Sequence, residues 1–223
     1  MKSLRLWGGL AAIYEAMAYI AGMAFFMGAV DYMGTANPES RLRLVIDNLA
    51  AMSAMNVFIY VIFGFMLLVL VFALNERWKD HGPSLLKVAT ASGIIWAGVV
   101  IASGMIFNVG AQKVALIHAE DPEGALTVWL AVEAVADGLG GGVEILGGVW
   151  VTLVSIAGLR SKSMAAMHYL GLLVGLAGIV TIVPPAGAIG GIVFGLGQII
   201  WFLWIGIYLI WSKPAGEMQN RPL

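Results

Sequence analysis

The chain has 223 residues, 61% of them hydrophobic and 11% charged, with a formal charge of −1 and a mean hydropathy of +0.92. A soluble domain is roughly half apolar and a quarter charged, so this composition specifies an integral membrane protein with no room for a soluble domain. Cysteine is absent, which excludes disulfides, thiolate metal centres and thiol catalysis.

Six apolar runs read as transmembrane helices in an all-α bundle, about 6–33, 49–74, 88–109, 126–159, 169–183 and 189–211. Most meet the ~20 residues needed to cross a ~30 Å hydrocarbon core. The first run is too long for a cleaved signal, and Glu15 interrupts the apolar stretch a signal requires. Asp31 stands at its outer end. In the loop that follows, Asn37-Pro38-Glu39-Ser40 is a turn signal able to start a short helix. After the second run, Asp80-His81-Gly82-Pro83 marks a tight turn. After the third come Lys113, His118 and Asp121-Pro122-Glu123-Gly124, a turn with acids suited to the N-terminus of the fourth helix.

The fourth run carries Glu133, Asp137 and Glu144 at offsets of 4 and 7. At about 100° per residue, eleven residues return almost to phase, so all three acids share one face of a continuous helix. Its 34 residues would span ~51 Å, longer than the hydrocarbon core. Either the helix projects outward or the run Gly138-Leu139-Gly140-Gly141-Gly142 breaks it. Measured from residue 159, Glu144 lies ~22 Å up, with Asp137 at ~33 Å and Glu133 at ~39 Å, near the outer interface. The fifth run ends at Pro184-Pro185. Gly171, Gly175 and Gly178, then Gly187, Gly191 and Gly195, give small-xxx-small spacings that suit close helix packing.

Basic residues set the orientation. Alternate segments hold Lys2, Arg5, Arg77, Lys79, Lys87, Arg160, Lys162, Lys213 and Arg221, nine in all, against Arg41, Arg43 and Lys113 on the other side. The positive-inside rule places both termini in the cytoplasm. All twelve lie outside the apolar runs, so the reading gives the acidic stripe no basic partner.

An acid at a helix centre costs roughly 2.5–3.5 kcal/mol on insertion scales and usually faces a bundle interior or a hydrated cavity. For Glu144 and Glu15 three readings compete: a protonated acid bonded to a neighbouring helix (through Asn56, Tyr60 or Gln198 in the case of Glu144), a lining for a hydrated path, or an acid–base group. Near the surface, Glu133, Asp137 and Asp31 are ordinarily solvated. With His118, the weak metal candidates Asp31, Glu133 and Asp137 would form an oxygen-rich outer site. His81 and His168 read as solvated interface histidines, and Trp7, Trp78, Trp129 and Trp211 as interfacial anchors. No catalytic motif occurs. The segment 15–22 matches 133–140 at four of eight positions, an echo that an inverted repeat of three-helix halves would produce.

Residues 135–185 contain Gly140-Gly141-Gly142-Val143-Glu144, then Gly148-Val149-Trp150-Val151-Thr152-Leu153-Val154-Ser155 and Leu159-Arg160. Tyr169-Leu170-Gly171-Leu172, Gly175-Leu176-Ala177-Gly178 and Val183-Pro184-Pro185 follow. This pattern, with a less specific stretch at 10–22, resembles a large family of small prokaryotic membrane proteins classified as a domain of unknown function. The resemblance implies an α-helical membrane fold of six or seven helices, and no activity or site residue.

The sequence therefore favours a single-domain, multi-pass protein of a prokaryotic inner membrane. Its leading function is a small transporter or permeation protein for protons, cations or a cationic or polar solute. Glu15 and Glu144 would line the site, below an outer vestibule of Asp31, Glu133 and Asp137. The alternatives are a non-catalytic subunit of a larger membrane complex and, third, a membrane enzyme acting on an apolar substrate. A non-enzymatic role is favoured over catalysis. The expected partners are the lipid bilayer and a homo-oligomer or membrane complex, with no cofactor and no nucleic acid.

Overall fold

A computed structural model describes residues 2–141 and 143–212; Gly142 of the glycine run and the basic residues Lys213 and Arg221 lie outside them. The described residues are all-helical, with no strand. The helices are α1 (Lys2–Met23), α2 (Pro38–Asp47), α3 (Leu49–Asn56), α4 (Phe63–Trp78) and α5 (Pro83–His118). They continue with α6 (Pro122–Ala136), α7 (Ile145–Arg160), α8 (Ala165–Val180) and α9 (Pro184–Trp211). π-helical turns extend α1 over Ala24–Ala29, join α3 to α4 over Val57–Ile62, and follow α6 over Asp137–Gly141.

Local chemistry sets the ends. The turn signal at Asn37 does start a helix: its side chain accepts from the Ser40 amide at 2.9 Å, and Pro38 occupies the first turn of α2. Asp121 caps α6 in the same way, accepting from the Gly124 amide at 2.9 Å with Pro122 behind it. Pro184 opens α9 after a short turn at 181–183, so the fifth and sixth apolar runs are joined tightly.

Five helical stretches are long and apolar enough to cross a membrane: 3–29, 49–81, 83–118, 122–160 and 184–211. The fifth apolar run becomes α8, which has only 16 residues, short of the ~20 that a straight crossing needs. The third helix is the reverse case. It runs 36 residues, about 54 Å, because its polar ends at Pro83 and Lys113 continue the helix beyond the apolar run. The exterior is apolar, with Ile189, Ile192, Leu173 and Leu196 exposed.

Six of the helices close into a ring. α1 packs on α4 and α9, α4 on α5, α5 on α7, α7 on α8, and α8 on α9. Inside lies the main core, including Phe63, Trp96, Trp150, Phe194, Trp201 and Phe202. A smaller core of Leu42, Val45, Met52, Val114 and Trp129 joins α2 to the ends of α3, α5 and α6. Two of the expected interfacial tryptophans belong inside instead: Trp129 is fully buried in that second core, and Trp78 in the first, whereas Trp7 and Trp211 are exposed. His168 is likewise buried, not solvated. Its ring meets Trp78 edge-on at 5.0 Å and fills the space left by the missing side chain of Gly158.

Close approach is selective among the glycines. Gly171, Gly175 and Gly178 of α8 sit against α7 and α9, but Gly191 faces open space and Gly195 touches only the Tyr19 ring. Of the α9 spacing only Gly187, against the Thr181 carbonyl, serves close packing within the chain.

Candidate functional site

The fourth apolar run is broken. α6 stops at Ala136, a π-turn follows, and Gly140 takes φ +143°, ψ 11°. That conformation lies in the region where a side chain is strained. Glu144, at φ −98°, ψ 19°, precedes α7. The expectation that three acids share one face of a continuous helix is thus corrected: the eleven-residue phase is lost at Gly140. The acids nevertheless converge, because the break folds Asp137 and Glu144 toward the same space that Glu133 reaches from α6.

Irregular backbone at such a depth survives only if its polar groups find partners. Ser103 of α5 donates to the Ala136 carbonyl at 2.8 Å. Thr181 accepts from the Glu144 amide at 2.9 Å and donates to the Gly178 carbonyl at 2.7 Å. Asn56 does not bond Glu144. It donates to the Gly104 carbonyl at 3.0 Å and to Asn108 Oδ1 at 3.1 Å, clamping α3 to α5 beside the second π-turn. Gln198 also makes no bond to Glu144; it is buried with both its amide atoms unpartnered.

The space is a cavity of about 480 Å³, within the size range of small-molecule sites, ~300–1,000 Å³. It lies where α6, which leans on α5 and α2, leaves α1 uncovered. Tyr32, Met33 and Arg41 line it at the end bearing α2, while Tyr19, Phe63, Trp96 and Glu144 line its depth. All three π-turns contribute lining residues: Phe26 from the first, Ile59 and Tyr60 from the second, Asp137 and Gly140 from the third. π-turns recur at functional sites because they shift side chains out of helical register. Here the register shifts meet in one place.

Of the five expected site residues, Glu133, Asp137 and Glu144 line the cavity; Glu15 and Asp31 do not. Glu15 is fully buried beside it, with both carboxylate oxygens unpartnered. Asp31 is exposed in the turn after α1, at φ +52°, with its carbonyl accepting from Thr35. The matching segments around Glu15 and Glu133 therefore occupy unlike settings. His118 joins none of these acids, and no three His, Asp or Glu side chains among the described residues come together to hold a metal ion.

The stripe does have a basic partner. Arg41 reaches Glu133 with Nη1–Oε1 at 3.0 Å, and Tyr32 donates to the same oxygen at 2.6 Å. The guanidinium also lies 5.4 Å from the centre of the Tyr32 ring. Arg41 lies outside every apolar run, as the sequence requires, but α2 folds back over α6 and delivers it to the mouth of the cavity. Both side chains keep some exposure, 29% and 15%, so the pair is partly screened. A double-mutant cycle of Arg41→Met and Glu133→Gln, read by thermal melts in detergent, is expected to give a coupling of about 1 kcal/mol. Strictly additive losses would show that the contact contributes nothing.

Glu144 differs. It is half-buried and lines the cavity. Among the described residues its carboxylate has no hydrogen-bond partner, nor do the equally deep hydroxyls of Tyr19 and Tyr60. Tyr19, Tyr60 and Glu144 line the same cavity. Tyr19 and Trp96 escaped the sequence reading, since an aromatic residue in an apolar helix looks like any other core residue. The chain matches no protein-family model, no curated protein and no solved structure.

Proposed function

We propose that this chain is a small membrane transporter for a cationic solute, seated in a prokaryotic inner membrane as six helices with both termini cytoplasmic. In that orientation the α2 end of the cavity faces outward. The observation that carries the reading is the convergence of Glu144, Tyr19 and Tyr60 on one cavity. A carboxylate and two phenols that keep part of their surface toward one cavity can all reach a ligand held there. A helix broken at membrane depth, with its loose backbone turned to a cavity, is the arrangement transporters use to build a site.

The cavity lining ends at Tyr19, Phe63 and Trp96, and the packed core of Trp150, Phe194, Trp201 and Phe202 lies beyond. A space bounded at one end by that packed core matches one state of an alternating-access cycle. Glu144 then serves as the deep counter-charge and Asp137 as the outer one. The test is flux into proteoliposomes, comparing wild type with Glu144→Gln. The variant keeps the side-chain volume, so it should elute and melt like wild type while its initial rate falls by at least about tenfold, the loss of one charge-assisted contact. A folded Glu144→Gln variant that transports at the wild-type rate would reject the site, and a wild type that moves no cation would reject the transporter.

A further inference from the structure

We infer that the ligand of this cavity is an organic ammonium ion with an apolar body, and not a metal ion or a bare proton. The inference rests on the transporter reading for its biological sense, but the binding chemistry stands separately. Three carboxylates and one guanidinium give the lining a formal charge of −2. Glu133 is already bonded to Arg41 and Tyr32, so the charge left to attract a ligand belongs to Asp137 and Glu144.

A metal ion such as Ca²⁺ or Mg²⁺ needs six or more oxygens at ~2.0–2.6 Å. The described residues offer no such convergence, and a proton path needs no chamber of about 480 Å³. What the walls do offer is aromatic rings. Tyr19 and Tyr60, both half-buried, line the deep end with Glu144, backed by the core rings of Phe63 and Trp96, and Phe26 and Phe107 line the space above. Ring faces carry partial negative charge and hold alkylammonium groups, whose charge is spread over methyl surfaces that shed water cheaply. The hydrated point charge of Na⁺ gains less from such walls. A deep carboxylate, two half-buried tyrosines beside it and an apolar upper wall together describe a cation with a hydrophobic tail: the ammonium beside Glu144 and Tyr60, the body toward Phe26 and Phe107.

The probe is benzyltrimethylammonium, titrated into the purified protein in nanodiscs and read by tryptophan fluorescence and by equilibrium dialysis. Benzyl alcohol is the uncharged comparison. Binding should saturate, be unaffected by exchanging NaCl for KCl, and weaken at least about tenfold in Glu144→Gln and in Tyr60→Leu. Tyr60→Phe, which keeps the ring and loses only the hydroxyl, should bind within about threefold of wild type. Absence of saturable binding to folded protein, competition by benzyl alcohol as effective as that by the ammonium, or wild-type binding by both Glu144→Gln and Tyr60→Leu would each overturn the inference. Ammonium binding without flux leaves the ligand class standing and removes the transporter. Glu144-dependent flux of Na⁺ or protons without ammonium binding does the reverse.

Discussion

Gly148→Leu is expected to yield no folded monomer, and Gly148→Ala a folded one with a clearly lowered melting temperature. At Gly148, α7 crosses α8 with backbone against backbone. A methyl group there would lie 2.6 Å from the Gly175 carbonyl oxygen, 2.6 Å from the Ile179 nitrogen and 2.8 Å from the Gly178 carbonyl carbon. None of these atoms is the end of a flexible side chain that can swing away. The helices must separate, and α8 is also held by α9, where Gly178 meets the Phe194 ring. Overpacking a core by a methylene or two costs about 1–3 kcal/mol. A leucine against main chain exceeds that range, and in a bilayer no hydrophobic gain between helices offsets it. Fluorescence-detected size exclusion followed by a thermal ramp reads both variants. A Gly148→Leu protein that elutes and melts like wild type would refute the crossing. Gly191→Leu, which enters open space, is the matched control.

How much of this was legible in advance differs from residue to residue. The long apolar helices could be read because lipid imposes a length and forbids charge, and both constraints act on sequence directly. Glu144 could be picked out for the same reason. Glu144, Asp137 and Glu133 do line one cavity, although the helical phase invoked for them does not exist; a break in the helix separates them along the chain. That break could not be decided, because glycine is frequent in unbroken membrane helices and only the φ of Gly140 distinguishes the cases. Arg41 was invisible as a partner because its position depends on the path of α2 across α6, a tertiary fact. Glu15 and Glu144 looked equivalent in composition and depth. One became sealed in the core and the other turned to a cavity, and no local pattern separates those outcomes.

The sealed acid bears on the site. Glu15 lies one helical turn before Tyr19, which lines the cavity floor. A carboxyl group with both oxygens buried and unpartnered is costly in any membrane helix. No cation in the described structure offsets that cost, and it sits where the cavity stops. A packed floor that rests on an unsatisfied polar group is less firmly held than one that rests on hydrocarbon.

The break itself is the last point at which sequence, fold and site can be separated by one substitution. Gly140→Val should leave a protein that folds, melts lower by the equivalent of about 1–3 kcal/mol, and no longer binds benzyltrimethylammonium. Space is not the obstacle, since the nearest atom to an added side chain is Val100 Cγ2 at 3.5 Å. The obstacle is φ +143°, which a β-branched residue adopts only under strain. Valine therefore favours rejoining α6 to α7, and a continuous helix carries Glu144 out of the geometry in which it faces Tyr19 and Tyr60. Gly138→Ala supplies the contrast. Two residues earlier, with nothing within 4 Å and no positive φ, it should change neither the melt nor the binding. Equal behaviour of the two variants would mean that the bend at Gly140 has no part in forming the site. Loss confined to Gly140→Val would tie the acidic cavity to the backbone conformation that glycine holds at residue 140.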